Sequence, residues 1–236
     1  MNKFIFDVDG TLTPSRQTMD KEFCKWFVEF CKSNDVYLVT GSDYAKTLEQ
    51  VGEDVCMNVK RLYNCSGSDV YEKCINVRTS EWAAPKELYD LMNGWLQSSP
   101  FKLRTGNHIE ERPGMINFSI VGRNATTDER KLYIKHDLES RERESIAFQI
   151  NLEFPNIRAT VGGETGIDIG QLNSDKGQIL ADFDASDKIL FFGDKMEQGG
   201  NDYPLANLLT HPSRSYNVKN WQDTWRLLNE NIANRT

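Results

Sequence analysis

The sequence predicts an α/β protein, a parallel-sheet core interrupted by an α+β insert, and three observations carry that prediction. The chain opens on a short apolar run, Phe4-Ile5-Phe6, that ends at Asp7 and Asp9, as a strand buried between helices does. Strand-like and helix-like stretches then alternate up to about residue 77, the βαβα order that starts a parallel sheet. The same alternation resumes from about Asn173, after a middle stretch of different character.

The elements follow in order. After FIFDVD, the stretch from Asp20 to Lys32 carries Phe23, Phe27 and Phe30 at helical spacing. VYLVTGSD reads as a second strand, and a second helix is expected from about Asp43 to Val51. In the middle, EWAAPKELYDLMNGWLQ reads as a helix beginning around Pro85 and GMINFSIVGR as a strand. TTDERKLYIKHDLESRERESIAFQINLEF reads as one or two charged helices and IRATVGGETGIDIG as more strand. Strands covered by helices on one side would make this an α+β insert. Beyond it, DKGQILADF is expected to be a helix and KILFFGD a strand.

Composition limits the function classes. A chain of 236 residues with 39% hydrophobic content suits a packed core of one large domain or two modest ones. Its net charge of −7 argues against a broad footprint on nucleic acid or acidic membrane, so neither is expected as a partner. Phosphate handling, if present, is local. The five cysteines, Cys24, Cys31, Cys56, Cys65 and Cys74, lack C-x-x-C spacing and read as reduced packing thiols of a cytoplasmic protein. No signal peptide or spanning run is expected, because Asp7 cuts the first apolar stretch and no run approaches about 18 apolar residues.

Two aspartates at the end of an apolar strand lie where open α/β sheets bind ligands, and they repel unless a cation or a shared proton compensates them. ILFFGDKMEQGGND repeats this logic, delivering Asp194 at a strand end and Asp202 after a glycine-rich loop. With Asp7 and Asp9 these residues make an all-oxygen set suited to Mg²⁺. Zinc is not expected, since His108, His136 and His211 lack paired ligand spacing. Lys176 would set positive charge against a phosphoryl group, and Thr40 and Ser42 beside Gly41 would offer it donors. Taken singly, each residue also has a bland reading as a turn residue, cap or solvated lysine.

The order of these signals is what distinguishes them. D-x-D-G-T at the first strand, T-G-S at the second, a later lysine and G-D-x₇-D at the last resemble the haloacid dehalogenase (HAD) superfamily. The resemblance implies a Rossmannoid core in which Asp7 is phosphorylated and Asp9 serves as general acid and base. It also implies Mg²⁺ held by Asp7, Asp194 and the backbone carbonyl of Asp9. In the insert, Arg112 and Arg123 flank an apolar strand and Arg130 follows; guanidinium forks suit a second phosphate.

RPGMINFSIVGR with a further arginine seven residues on, together with FDVDGTLTPSRQ, GSDYAKTLEQVG, GGETGIDIGQLNSDKGQ and FFGDKMEQGGND, is similar to the eukaryotic-type phosphomannomutases. This resemblance implies a core of residues 1–80 and 173–236 and a mobile type IIB cap of residues 81–172, with homodimers formed through caps. It implies a hexose phosphate substrate bound by Arg16, Arg112, Arg123 and Arg130, with Asp168 on the sugar hydroxyls. It implies exchange of mannose 1-phosphate and mannose 6-phosphate through phospho-Asp7 and a hexose 1,6-bisphosphate, which also serves as activator. The chain departs from the pattern at Gly166, where a serine is expected, in YNCSGSDVY, and in YPLANLLTHPS after Asp202. Two rivals stand beside this reading: a sugar-phosphate phosphatase of the same superfamily, and a binding protein on an inactive scaffold.

Overall fold

Strand β1 (Asn2–Phe6) turns Phe4 and Phe6 to one apolar cluster and Ile5 to another. It is therefore buried on both faces, which is why its sequence is a continuous apolar run. The computed structural model describes residues 2–233. The chain divides into two units, Met1–Thr79 with Ser174–Thr236, and Ser80–Asn173.

In the first unit, helix α1 (Lys21–Ser33) starts at Asp20, whose side chain accepts from the Glu22 and Phe23 amides, and buries Phe23, Phe27, Phe30 and Cys31. The Asp20 cap satisfies two of the orphan donors of the first turn. Strand β2 (Asp35–Val39) leads to helix α2 (Tyr44–Val51), capped by Asp43. Gly52, at φ +82, turns the chain into helix α3 (Glu53–Asn58). Strands β3 (Arg61–Asn64), β4 (Asp69–Glu72) and β5 (Ile75–Thr79) follow. The β4–β5 turn places Lys73 and Cys74 at positive φ with neither glycine nor asparagine to announce it, so the sequence reading missed this hairpin.

The second unit contains helix α4 (Lys86–Ser98), strands β6 (Ile109–Arg112) and β7 (Met115–Phe118), helices α5 (Thr127–Ser140) and α6 (Glu142–Glu153), and strands β8 (Ile157–Gly162) and β9 (Gly166–Gln171). A capping box between Thr126 and Glu129 starts α5, and Arg141 at φ +54 separates α5 from α6. The strands form an antiparallel sheet ordered β6-β7-β9-β8. One face packs Ile116, Phe118, Ile167 and Ile169 against Leu88, Met92, Tyr133, Ile146 and Ile150 of the helices. On the other face Glu110, Asn117, Asp168 and Thr160 stand in one cross-strand row. GMINFSIVGR is thus strand only through Phe118, and its partner β6 escaped notice because Glu110-Glu111-Arg112 carries no apolar alternation.

The chain then returns to the first unit. DKGQILADF, expected to be a helix, winds as a 3₁₀ helix, Lys176–Asp182. Its i→i+3 bonds include Gln178 N to Asp175 O at 3.0 Å and Phe183 N to Leu180 O at 3.1 Å. A Cβ at Gly177 would come within 2.7 Å of the Leu208 Cδ1 methyl and 3.0 Å of Asp175 Oδ1, so a side chain here would require both to shift. Strand β10 (Lys188–Gly193), helix α7 (Tyr203–Leu208), strand β11 (Arg214–Asn217) and helix α8 (Trp221–Ala233) complete it. The seven-stranded sheet is ordered β11-β10-β1-β2-β3-β4-β5. It is parallel from β11 to β3, with the β4–β5 hairpin added antiparallel at β3. Cys31 and Cys56 are buried, and burial pushes both thiols up to about 12, consistent with packing rather than reactivity.

Asp182 ties the end of the 3₁₀ helix to the sheet, accepting from Arg78 at 2.8 and 2.9 Å and from Arg61 at 3.0 Å. Burial works to raise its pKa, but the Arg78 bonds win and hold it below the ordinary 3.8. A depressed carboxyl contributes stability above the unfolded value and loses it as pH falls through the folded one. Asp182→Asn should therefore cost about 1–2 kcal/mol at pH 7, discounted for half-exposed Arg78. Urea midpoints of the two proteins should converge as pH falls below 3.8 and through the lowered folded value of Asp182; a gap that stays constant at acid pH would contradict this account.

Candidate active site

Parallel strands bring their carboxyl ends together, and the chemistry-bearing residues follow those ends. Asp7 comes directly after β1, its amide continuing the ladder to Phe192 O at 2.9 Å. Asp194 comes directly after neighbouring β10, and Asp202 begins α7. Gly10, at φ +80, lets the first loop pass over Asp194: a Cβ there would meet Asp194 Oδ2 at 2.3 Å. Carboxylate oxygens of Asp7, Asp194 and Asp202 all lie within 4.8 Å of one another.

Lys176 enters this group from the start of the 3₁₀ helix. Its ammonium donates to Asp7 Oδ1 at 2.5 Å and to Asp202 Oδ1 at 2.6 Å, and its side chain is fully buried. The other Asp202 oxygen accepts the Lys195 amide at 3.0 Å. Burial lowers the Lys176 pKa, but Asp202 and Asp7 raise it further, and the lysine stays protonated. Burial raises Asp7 against the pull of Lys176, with Asp202 and Asp194 adding to the rise. Burial likewise raises Asp194, whose Oδ1 is buried without a hydrogen-bond partner.

Three carboxylates facing one ammonium leave negative charge in excess, and the unpartnered Asp194 oxygen is a lone pair without a donor. An all-oxygen set of this kind suits a hard divalent cation such as Mg²⁺. The Asp9 carboxylate lies outside the three-residue group. Its Oδ1 accepts from Arg16 N at 2.5 Å and Gln50 Nε2 at 3.0 Å, so a metal ligand from Asp9 would be its backbone carbonyl. Arg16 itself is exposed and at φ +59. Thr40 is buried at the end of β2 and accepts the Ser42 amide on Oγ1 at 3.1 Å; both precede the N-terminus of α2.

In the second unit Arg112 and Arg123 converge on one carboxylate. Arg112 donates to Glu110 Oε1 at 3.0 and 3.1 Å and Arg123 to Oε2 at 2.6 Å. Burial works upward on Glu110, but the two arginines hold it below the usual carboxylate range. The trio keeps one net positive charge. Arg130 instead pairs with Glu164 at 3.1 Å. Asp168 accepts from Asn117 Nδ2 at 2.6 Å. A Cβ at Gly166 would come within 2.6 Å of that same nitrogen, and one at Gly162 within 2.1 Å of Asp168 Oδ2. The missing side chain at Gly166 is thus the space that Asn117 fills.

Glu110, Asn117 and Gln50 were not singled out from sequence. For Gln50 a signal existed: α2 buries Thr47, Gln50 and Val51, and a polar residue on a buried helix face has a partner to find.

A parallel sheet with this aspartate–lysine group at its strand ends and an antiparallel insert defines a protein of the HAD class. The solved structure of Plasmodium falciparum IMP-nucleotidase superposes with a TM-score of 0.67 at 15% identity, covering 98% of this chain and 68% of that one. A haloacid dehalogenase-like hydrolase from Bacteroides thetaiotaomicron superposes at 0.62 and 10% identity, covering 98% and 100%. These likenesses speak for the fold alone. Within that class the chain belongs to the eukaryotic phosphomannomutase family, whose profile matches residues 23–234. It is similar to the phosphomannomutase of Saccharomyces cerevisiae, 31% identical over 236 residues, covering 96% of this chain and 92% of the relative. It is also 31% identical over 209 residues to that of Spinacia oleracea, covering 85% and 84%.

Proposed function

We propose that this protein is a phosphomannomutase, an isomerase that interconverts mannose 1-phosphate and mannose 6-phosphate through phospho-Asp7 and a hexose 1,6-bisphosphate. The observation that carries the reading is the buried Asp7–Lys176–Asp202 group in a chain of this family. Asp7 attacks phosphorus: its oxygen–phosphorus bond forms as the bond to the departing sugar oxygen breaks, and Asp9 gives that oxygen a proton. In the return step a sugar hydroxyl attacks phospho-Asp7 and Asp9 takes its proton. Lys176 relieves the repulsion between the carboxylate and the phosphoryl oxygens. Thr40 and Ser42 donate to those oxygens, and Arg16 binds the sugar phosphate.

Mg²⁺, held by Asp7, Asp194 and the Asp9 carbonyl with Asp202 beside them, would neutralise phosphoryl charge when bound. Arg112, Arg123 and Arg130 bind the phosphate that is not being transferred, with the first two held in place by Glu110, and Asp168 binds sugar hydroxyls. A hexose bisphosphate phosphorylates Asp7 and so activates the enzyme. We also place the protein in the cytoplasm as a homodimer through the inserted unit. Leu138, Phe148 and Leu152 stand exposed on α5 and α6, the five cysteines form no disulfide among the described residues, and no described helix is long and apolar enough to cross a membrane.

The test is one reaction containing mannose 1-phosphate and a hexose bisphosphate, with hexose 6-phosphate and inorganic phosphate followed together. The expected product is the isomer. Arg123→Ala removes a charge-assisted contact worth about 1.5–3 kcal/mol, roughly ten- to a hundredfold in binding. It should also raise the ratio of phosphate to isomer, because a poorly held sugar hydroxyl loses to water. A wild type that yields only inorganic phosphate, with Arg123→Ala changing rate and not products, would make the protein a phosphatase.

A further inference from the structure

The Asp9 loop is fastened by a residue from another element. Gln50 comes from α2, is 2% exposed, and its Nε2 donates to both Asp9 Oδ1 at 3.0 Å and Thr13 Oγ1 at 3.2 Å. The Thr13 hydroxyl in turn reaches Val8 O at 3.3 Å, and the Thr13 carbonyl accepts the Gly10 amide at 2.8 Å. The Gln50 backbone carbonyl accepts the Met19 amide at 2.7 Å. Gln50 therefore grips both sides of the loop that carries Asp9. Its own Oε1 is buried with no partner. That orphan is costly, and the reversed amide would set Oε1 against the Asp9 carboxylate, so the donor contacts fix which way the amide points.

The two bonds to the Asp9 side chain, from Gln50 Nε2 and from Arg16 N, both fall on Oδ1. Donors on one oxygen leave the other for a proton in transit.

We propose that Gln50 is a positioning residue for the mutase reaction: by holding Asp9 Oδ1 it fixes the carboxylate plane so that Oδ2 serves the sugar oxygen in both half-reactions. The assignment rests on the role of Asp9 given above and adds a residue that acts through Asp9. A group that acts through another shows it by non-additivity. Gln50→Met keeps the volume and removes both donors, a shape-conserving change of the sort cores tolerate best.

The experiment is a double-mutant cycle of Gln50→Met and Asp9→Asn, with single turnovers for the slow variants, melting midpoints for each, and Gln50→Leu as a second replacement. Both Gln50 variants should lower kcat about tenfold with KM for mannose 1-phosphate unchanged. In the Asp9→Asn background the same changes should cost less than twofold. Equal losses in both backgrounds, or a rise in KM with kcat intact, would overturn the assignment in favour of a structural role. If Asp9→Asn alone turns over like wild type, the role of Asp9 falls and this assignment with it. If the protein releases only phosphate, the cycle is read on phosphate release, where Asp9 moves a proton as well, and the assignment is tested independently of the mutase reading.

Discussion

Asp7→Asn should abolish isomerisation and phosphate release alike, leaving a folded protein. The amide is a poor nucleophile and a weaker ligand for a hard cation, and no neighbour can take its place: Asp202 is already held by Lys176 and Lys195, and Asp194 lies after a different strand. The loss should exceed 10³-fold, on the order of losing a nucleophile in other covalent mechanisms. Folding should survive, because the substitution removes one charge from a buried group that already carries an excess of negative charge. The checks are a coupled isomerase assay on protein free of wild type, an attempt to label the protein with phosphate from a hexose bisphosphate, and a melting curve. Label retained in the variant would move the nucleophile elsewhere.

Lys176→Met should damage stability and turnover together. Lys176 is wholly buried between Asp7 and Asp202, and removing one partner of a buried ion pair costs about 3–5 kcal/mol because the other charges are left uncompensated. Activity should fall by at least 10²-fold, since in the proposed mechanism the same ammonium would oppose the charge on the phosphoryl group. A diagnostic result separates this from simple misfolding: millimolar Mg²⁺ should raise the melting midpoint of the variant more than that of wild type, and a chelator should reverse it. A ligand that binds only the folded state stabilises it by mass action, and the variant has the more negative site. No Mg²⁺ response in either protein would argue against a cation among these carboxylates, and equal responses would argue that Lys176 does not oppose its charge.

The difference between what the sequence disclosed and what it hid follows from how each residue is used. Asp7, Asp194 and Lys176 were legible because each stands at a junction: two where apolar strands stop, one where a helix begins after a turn. Apolar runs such as Phe4-Ile5-Phe6 and Ile189 to Phe192 announce strands buried on both faces, and the parallel core could be read from them. The hairpin β4–β5 could not, because Ile75–Thr79 is exposed throughout and an edge strand needs no alternation. Glu110 and Asn117 were hidden for another reason. They lie on the polar face of an antiparallel sheet, where a carboxylate or amide reads as solvated until the fold shows Arg112 and Arg123 converging on Glu110 and Asp168 standing across from Asn117. The 3₁₀ winding at Lys176 was likewise invisible, since its apolar spacing serves either helix.

Lys176 and Asp7 touch across 169 positions of chain, and that separation has a consequence for how the protein is made. On a ribosome, Asp7 emerges roughly 8–34 s before Lys176 at about 5–20 residues per second. Asp194 and Asp202 emerge later still. For that interval β1 has β2 as a neighbour but not β10, so one edge of the nascent sheet is open. The unit from Ser80 to Asn173 is contiguous in sequence and can close its own sheet first, whereas the aspartate–lysine group is assembled only when the segment from Ser174 returns to the first strand. The group of Asp7, Lys176, Asp194 and Asp202 is therefore complete only at the end of synthesis, and a chain released after its inserted unit would carry Asp7 and Asp9 without Lys176, Asp194 or Asp202.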